Sequence, residues 1–421
     1  MQRARTPIVS PGLLLKGLTF LMFAMFAMTT DSVGVIIPQI IRQFRLGMTA
    51  AGAFQYATMA GISLAALLLG FLADRLGRKR TIIAGLALFG VSCVMFAVGR
   101  SFLFFVGLLF AGGVGIGVFK AGALALIGDL SGSTREHTRT MNTAEGFFGV
   151  GAIIGPAIVA SLLRWGAPWQ WLYLVTAGVC ALLVLTAALA RYPATPKPPA
   201  DNGRLREMIG LLKDRYALGF GLAAMLYVGA EAAVYVWGPT YLVGYRGPGA
   251  WLALYAVSIF FILRAAGRFL GALMLARFPW SAVLAFSSCA VLACFAAACL
   301  GGRGAAVIAL PLSGLFMSVI YPTINSKGIS CFEKSRHGAA SGVLLFFTCA
   351  SAVFSPLAMA LLSDAMGDAR YSLYLASGMA AALAALTLFN LLAAPAAARL
   401  AVRDEDDYRA VPIPAALGLE S

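Results

Sequence analysis

Long apolar runs follow one another along the chain, separated by short clusters of charged residues, proline and glycine. A helix needs about 20 mostly apolar residues to cross the hydrocarbon core of a bilayer. The first run is too long for the apolar part of a signal peptide, so we expect it to remain as a helix. Twelve runs predict membrane spans, over residues 14–41, 51–74, 81–99, 101–129, 141–163, 170–192, 215–244, 251–277, 280–300, 304–330, 338–364 and 371–394.

One substantial linker divides the predicted spans into two groups of six. It follows the sixth span and is rich in proline and basic residues, which do not continue a membrane helix. The pattern predicts an all-α polytopic membrane protein with twelve transmembrane helices in two six-helix bundles. Its parts are an N-terminal bundle at 1–192, a cytoplasmic linker at 193–214, a C-terminal bundle at 215–394 and a cytoplasmic tail at 395–421. The acidic run at 404–407 is interpreted as a solvated end of that tail.

Composition narrows the class of protein further. The chain has 421 residues, of which 61% are hydrophobic and only 12% charged. Soluble proteins carry about 25% charged residues, so a disordered chain, a nucleic-acid-binding domain and an ordinary cytosolic enzyme are excluded. Six of the seven cysteines lie inside apolar runs and lack the spacing of a metal site. They predict buried thiols, and neither a disulfide framework nor a metal is expected.

The net charge of +15 reflects where the cations lie relative to the predicted spans. With both termini cytoplasmic, 21 of the 32 Lys and Arg residues lie in cytoplasmic segments and seven in outer loops. Because cations are retained on the cytoplasmic side, this bias predicts a multi-pass protein of a bacterial-type inner membrane. We expect the cations to contact anionic lipid of the bilayer, and no nucleic-acid partner.

The loop after the second predicted span is basic, with one acid at a helix end and glycines that permit close helix approach. It resembles the signature loop of the major facilitator superfamily, on the run Gly70-Phe-Leu-Ala-Asp74-Arg75-Leu-Gly77-Arg78-Lys79-Arg80. The resemblance implies two pseudo-symmetric bundles, a site between them at mid-membrane, and alternating access. It also implies a conformational gate in which Asp74 and Arg78 latch the cytoplasmic side, with Gly70, Arg75 and Gly77. A positive-inside anchor explains the basic residues, but not Gly70 and Asp74.

Four further stretches are similar to the fucose/glucose/galactose–proton symporter group. They begin at Met141, Leu226, Leu315 and Ser363 and are spread over most of the chain. The similarity implies uptake of a sugar together with protons, with no cofactor and the proton gradient as the source of energy.

Two departures from that group concern the site. The group carries a carboxylate in the middle of span four, where this chain has Lys120. The group's span-one aspartate stands about one turn nearer Pro38 than Asp31 does. Together with Arg264 and Lys327, Lys120 favours a sugar acid or another organic anion, so the solute class stays open.

Four ionisable residues are predicted deep in the membrane: Asp31, Lys120, Glu231 and Arg264. An ionisable group at that depth costs at least about 2.5–3.5 kcal/mol on insertion scales, so each needs a partner or a role. We predict pairing of Asp31 with Lys120 and of Glu231 with Arg264. The pairs are either structural salt bridges or a site whose partners exchange when substrate or a proton arrives. Asp31 is the candidate for the protonated group, because burial and a neighbouring cation shift the pKa of a carboxylate in opposite directions.

Aromatic residues accompany the predicted carboxylates. Tyr227, Glu231 and Tyr235 recur every four residues and form one stripe on the seventh span. Such a stripe suits the apolar face and hydroxyls of a sugar, although packing explains tyrosines equally well. Tyr321 and Asn325 share a face of the tenth span in the same way and are further candidates for substrate contact.

Four more polar residues lie nearer the predicted cytoplasmic ends. Asn142 and Glu145 share a face of the fifth span, where Glu145 serves either the substrate or a cytoplasmic gate. Arg268 lies one turn beyond Arg264 and either joins it or forms a contact of the conformational gate, to which we assign it. Lys327 is a candidate for substrate binding, with extension to the lipid headgroups as the alternative.

These features predict a secondary transporter, a proton-driven symporter that takes up a small hydrophilic solute as a monomer. The alternative is a proton-driven antiporter exporting drugs or metabolites, because the stretch Gly151-Ala-Ile-Ile-Gly155-Pro156 partly matches the antiporter signature. A membrane sensor or scaffold is a third interpretation. No nucleophile–base set, metal cluster or cofactor motif occurs in the sequence, so an enzyme is not expected.

Overall fold

Helices make up nearly all of the chain that the computed structural model describes, residues 11–69, 72–131, 134–193, 210–333 and 336–408. They group into twelve tracts that we number span 1 to span 12. Span 1 is Pro11–Thr30 and Val33–Phe44; span 2 is Met48–Ala51, Ala53–Leu69 and Leu72–Arg75; spans 3 to 6 are Arg78–Met95, Phe102–Asp129, Thr134–Arg164 and Trp171–Leu189; span 7 is Arg215–Ala232, Ala233–Trp237 and Gly238–Leu242; spans 8 and 9 are Ala250–Arg277 and Trp280–Leu300; span 10 is Gly302–Met317 and Ile320–Ser330; spans 11 and 12 are His337–Met366 and Arg370–Ala393.

Ten of these tracts are long and apolar enough to cross a membrane on their own. The other two are spans 2 and 3. Span 2 is divided into short helices, and span 3 opens with the three cations at 78–80, which lower its hydropathy. The predicted boundaries agree with the helices to within a few residues at most ends. Span 5 begins at Thr134 rather than at 141, because its polar first turns continue the helix below the apolar run.

Three spans are interrupted near their middle, which the sequence analysis did not predict. In span 1 the hydroxyl of Thr29 donates to the carbonyl oxygen of Phe26, and that of Ser32 donates to the carbonyl oxygen of Met28. Such side-chain bonds compete with the helical ladder and bend the chain. In span 10 Ser318 does the same at the break. Broken helices at mid-membrane mark the binding sites of secondary transporters.

Span 7 is interrupted differently, by the wide π-helical turn Ala233–Trp237. Pro239 then lies in the first turn of the closing helix Gly238–Leu242, where its missing N–H is tolerated. π-Helical turns inside α-helices are frequent at functional sites, because they rotate side chains out of register. This turn begins two residues after Glu231.

The two six-helix bundles, spans 1–6 and spans 7–12, meet at the end that the cation distribution assigns to the outside. We name this contact the outer seal and define it by Gly34, Met48, Thr49, Tyr235 and Asp364. The backbone N–H groups of Met48 and Thr49 donate to the Asp364 carboxylate, at 2.8 and 2.7 Å. A Cβ atom on Gly34 would overlap the carbonyl oxygen of Tyr235, so only glycine lets spans 1 and 7 pack this closely.

The first part of the tail packs against the C-terminal bundle. Residues Ala397–Tyr408 form a helix, and Arg399 on it donates to the carbonyl oxygen of Cys331 and to the Asp214 carboxylate, at 2.9 and 3.1 Å. Leu400 packs in a small apolar cluster with Leu211 and Phe332. The acidic side chains at 404–407 and most of the linker lie outside the described residues, so the domain boundaries stay a prediction.

Candidate functional site

The site is built around a close ion pair between spans 7 and 8. Arg264 Nη1 lies 2.6 Å from Glu231 Oε1, and the two side chains are 22% and 10% exposed. The Tyr227 hydroxyl, one turn earlier on span 7, donates to the same carboxylate oxygen at 3.1 Å. The predicted pairing of Glu231 with Arg264 is therefore present. Arg264 keeps one unused donor, because its buried Nε has no hydrogen-bond partner in the described structure.

Aromatic rings enclose this ion pair. Tyr227 stacks on Tyr321 of span 10, with ring centroids 5.8 Å apart and planes at 27°. Phe261 of span 8 lies beneath the Arg264 guanidinium, 6.0 Å from its ring centroid, and also contacts Tyr235. These rings lower the access of water to the charges, which strengthens their interaction. Tyr321 follows the break in span 10, and Tyr235 lies in the π-turn of span 7.

Asp31 lies at the break of span 1 and faces the same region from the N-terminal bundle. Its carboxylate accepts a hydrogen bond from the Thr30 hydroxyl at 2.9 Å. It interacts electrostatically with Arg264, Glu231 and Lys120. The break therefore directs one carboxylate of the N-terminal bundle toward the ion pair of the C-terminal bundle.

The predicted close pairing of Asp31 with Lys120 is wrong. Within the described residues no ion pair of 4.0 Å or less joins them, and the Lys120 ammonium instead lies over the ring of Phe148 in span 5, 5.4 Å from its centroid. Lys120 is half-buried. It stands nine residues before Asp129 at the end of span 4, and its neighbour at this depth is the ring of Phe148 and not the carboxylate on span 1.

Glu145 on span 5 faces Arg268 on span 8 and Tyr321 on span 10, and interacts electrostatically with both. Glu145 and Arg268 are exposed, and no ion pair joins the two in the part of the chain described. Asn142 is exposed one turn earlier on the face of Glu145. The three residues thus line facing surfaces of the two bundles without contact. Their assignment to a substrate or to a gate stays a prediction.

Two candidates on span 10 lie apart from the ion pair. The Lys327 ammonium lies over the ring of Trp280 at the start of span 9, 6.0 Å from its centroid, which agrees with extension toward the headgroups. Asn325 is half-buried and makes no hydrogen bond among the described residues. A role of either in substrate binding stays a prediction.

The signature loop forms contacts inside the N-terminal bundle. Gly77 has a φ of +86°, a conformation that favours glycine, and it starts span 3. Arg78 is buried, donates to Asp129 at the end of span 4 at 2.8 Å, and donates to the carbonyl oxygen of Ala73. Arg75 is exposed at the end of span 2. Gly70 and the side chain of Asp74 lie outside the described part, so the predicted latch stays a prediction.

Sequence reasoning missed three polar residues. Gln55 on span 2 is fully buried, its amide lies 3.5 Å from the Tyr235 hydroxyl, and its Oε1 has no partner in the described structure. Asp129 accepts from Arg78 of span 3, and Asp364 accepts from backbone N–H groups at the start of span 2. The sequence offers one signal, because a glutamine inside an apolar run is as conspicuous as a charge. No group of three or more His, Cys, Asp or Glu residues that suits a metal ion occurs in the described ranges.

Two six-helix bundles with broken helices and buried charges between them define the class of secondary membrane transporters. The model of the Major Facilitator Superfamily matches residues 19–356. The chain belongs to this superfamily, and it is a multi-pass membrane transporter and not an enzyme.

Relatives within the superfamily include sugar transporters. The L-fucose-proton symporter of Escherichia coli (strain K12) is 26% identical over 390 residues, which cover 82% of this chain and 86% of that protein. The glucose/galactose transporter of Brucella abortus biovar 1 (strain 9-941) is 25% identical over 376 residues, covering 85% and 89%. A crystal structure of the E. coli fucose:proton symporter FucP, 23% identical, matches with a TM-score of 0.64 over 90% of this chain and 99% of that one. The last match shows the shared fold.

Proposed function

We propose that the protein is a proton-coupled symporter that takes up a small hydrophilic solute, such as a sugar, a sugar acid or another organic anion. The observation that carries the proposal is the charged cluster at the broken helices. Glu231, Arg264 and Tyr227 form a hydrogen-bonded group, and Asp31 faces it from the other bundle. Ionisable groups so deep in a membrane protein mark substrate and proton pathways.

Asp31 is the proposed proton carrier. Unlike Glu231, it has no cation within ion-pair distance in the described chain, and its single hydrogen bond comes from a hydroxyl. A proton on Asp31 removes a charge that Arg264 and Lys120 otherwise attract, so it changes the attraction between the bundles. Proton binding and domain movement are coupled in this way.

Alternating access requires the outer seal to open while the cytoplasmic side closes. We propose that Glu145 and Arg268 approach each other in that step, because they face one another across the two bundles with opposite charges. The aromatic rings of Tyr227, Tyr235 and Tyr321 offer apolar faces and hydroxyls to the solute. The sugar-transporting relatives support this solute class. The proposal includes a monomer in a bacterial-type inner membrane, with both termini cytoplasmic and no cofactor.

Proteoliposomes test this function. With an inward proton gradient, purified protein should accumulate the correct solute, and the outer medium should become alkaline. Asp31→Asn should abolish gradient-driven uptake but retain exchange of labelled for unlabelled solute, because exchange needs no net proton movement. Accumulation that survives collapse of the gradient contradicts proton symport, and unchanged uptake by the variant removes Asp31 from the proton role.

The export alternative rested on glycines of span 5. A Cβ atom on Gly151 or Gly155 would overlap carbonyl oxygens of span 1, at Ala24 and Met28. Close packing of two helices thus accounts for these glycines without an antiporter role. An exporter would be recognised in the same proteoliposomes by proton uptake that accompanies solute loss.

A further inference from the structure

We propose that the solute carries one negative charge, that Lys120 binds it, and that one proton on Asp31 accompanies it. The inference rests on the proposed proton symport and adds the substrate class and stoichiometry. The inference depends on a difference between the charges of the site, because some of them already have a counter-ion and others do not.

Glu231 and Arg264 neutralise each other. Their atoms lie 2.6 Å apart, and the hydroxyl of Tyr227 adds a second donor to the carboxylate. The carboxylate therefore has two donors of its own, and the guanidinium has its counter-ion. Neither charge is free to neutralise a third group. A solute that binds here meets a neutral pair, in which the Nε of Arg264 is still an unused donor.

Lys120 has no such counter-ion. No carboxylate lies within 4.0 Å of its ammonium in the described part of the chain, and its neighbour is the ring of Phe148. A ring stabilises an ammonium by only about 0.5–2 kcal/mol. The lysine is half-buried and nine residues from Asp129, the nearest end of its span, so it does not reach the headgroups easily. Its unsatisfied donors are available to an anionic solute.

The charge of the whole site depends on the proton. Asp31 is faced by Arg264 from span 8, Glu231 and Tyr235 from span 7, Lys120 from span 4 and the Thr30 hydroxyl beside it. With Asp31 ionised, the two acids and two bases sum to zero. With Asp31 protonated, the site carries one positive charge, which a monoanion restores to zero and a neutral sugar does not.

The same balance holds when the nearby gate residues are included, because Glu145 and Arg268 carry opposite charges. Proton and anion therefore bind in a mutually favourable way, and their joint transfer moves no net charge. The ring of Phe148 beside Lys120 offers an apolar face next to the cation. This arrangement suits a hydroxylated carboxylate, such as a hexuronate or an aldonate.

Matched solutes that differ only in charge test the proposal. Binding of galacturonate and galactose, and of gluconate and glucose, to the purified full chain is measured by titration calorimetry at pH 6. Repeating each titration in two buffers with different ionisation enthalpies gives the number of protons taken up. We expect the acids to bind at least about tenfold more tightly than the neutral sugars, with close to one proton taken up per anion.

Variants of Lys120 assign the interaction. Lys120→Gln should weaken binding of the acid by about tenfold to a hundredfold and leave any neutral sugar unaffected, whereas Lys120→Arg should retain most of the affinity. Lys213→Gln removes the same charge from an exposed cytoplasmic position and should change nothing. Equal or tighter binding of the neutral sugars, an acid preference that survives Lys120→Gln, or no binding of any acid overturns the proposal.

Proteoliposomes separate this inference from the function on which it rests. Proton-driven uptake of a neutral sugar that generates a membrane current leaves the symport standing and overturns the anionic class. Lys120-dependent binding of an acid without any proton coupling contradicts the symport and the stoichiometry of one proton, and supports only the anionic class. Electroneutral uptake of an acid with one proton supports both.

Discussion

The outer seal depends on a carboxylate that bridges the two bundles, and its removal should open the outer side. Asp364, at the end of span 11, accepts hydrogen bonds from the backbone N–H groups of Met48 and Thr49 at 2.8 and 2.7 Å. Asparagine at this position keeps the shape but loses the charge and one acceptor oxygen. The perturbation therefore acts on the closed seal and leaves the interior of each bundle intact.

The size of the destabilisation by Asp364→Asn follows from these two hydrogen bonds. A hydrogen bond to a charged group contributes about 1.5–3 kcal/mol, and a neutral one about 0.5–1.5 kcal/mol. Because the contact with Thr49 is exposed, water replaces part of the loss. We therefore expect Asp364→Asn to destabilise the closed seal by about 1–2 kcal/mol. This shift raises the ratio of open to closed protein by about 5- to 30-fold.

Spin labels across the outer end measure that ratio. Arg164 is the last residue of span 5, Trp251 is the second residue of span 8, and both are exposed. Cysteines at these two positions, in a background without the native cysteines, give the distance distribution between the bundles. Asp364→Asn should increase the long-distance population. Asp368→Asn is the matched control, because Asp368 is exposed at the same end and pairs only locally with Arg370, at 3.5 Å. An unchanged distribution in the Asp364 variant, or the same change in the control, would refute the reasoning.

Three further predictions concern stability and closure. Glu231→Gln should destabilise the protein by about 3–5 kcal/mol, because it leaves the Arg264 charge unpaired, and adding Arg264→Met should restore most of that stability. Thermal unfolding measures both variants, and equal stability of the single and the double variant contradicts the pairing. Gly34→Val should abolish uptake without unfolding the protein, because a side chain at this position prevents closure of the outer seal. Gly17 has open space around it, so Gly17→Val should transport normally. Equal uptake by the two variants argues against the seal. Burial acts to raise the pKa of Asp214, but two backbone N–H groups and an arginine outweigh it and hold the pKa below its usual value. The ionised Asp214 therefore stabilises the folded protein fully above about pH 4, and this stabilisation is lost as the pH falls through the lower pKa of the folded state. Asp214→Asn should reduce the fall in unfolding free energy below about pH 4. Parallel plots of unfolding free energy against pH for parent and variant rule this out.

Much of the fold could be predicted from the sequence because a bilayer imposes length and hydropathy on each span. Span 9 was predicted at 280–300 and is Trp280–Leu300. The breaks in spans 1, 7 and 10 were not predictable in this way. They arise from hydroxyl groups that bond to carbonyl oxygens and from a π-turn, and these features do not change the average polarity of a run.

The candidate site was predictable where two partners lie on neighbouring spans at matching depth, as Glu231 and Arg264 do. The prediction for Lys120 was wrong because depth alone was compared. The direction in which a side chain leaves its helix depends on how the helix is rotated in the bundle, and Phe148 faces the lysine in this packing. Gln55 was overlooked because it is uncharged, although its buried amide needs partners as much as a charge does.

The site and the outer seal share the same short segments, which explains how chemistry at one reaches the other. Asp31 stands at the break of span 1, and Gly34 lies in the first turn after that break. On span 7, Glu231 precedes the π-turn that contains Tyr235, whose carbonyl oxygen Gly34 approaches. A change of charge at either carboxylate therefore acts on a segment that is only a few residues long. The regular α-helical hydrogen bonding is already interrupted in that segment. Small movements of such a segment alter a contact as tight as that between Gly34 and Tyr235, because packed interfaces switch between discrete arrangements and do not deform continuously.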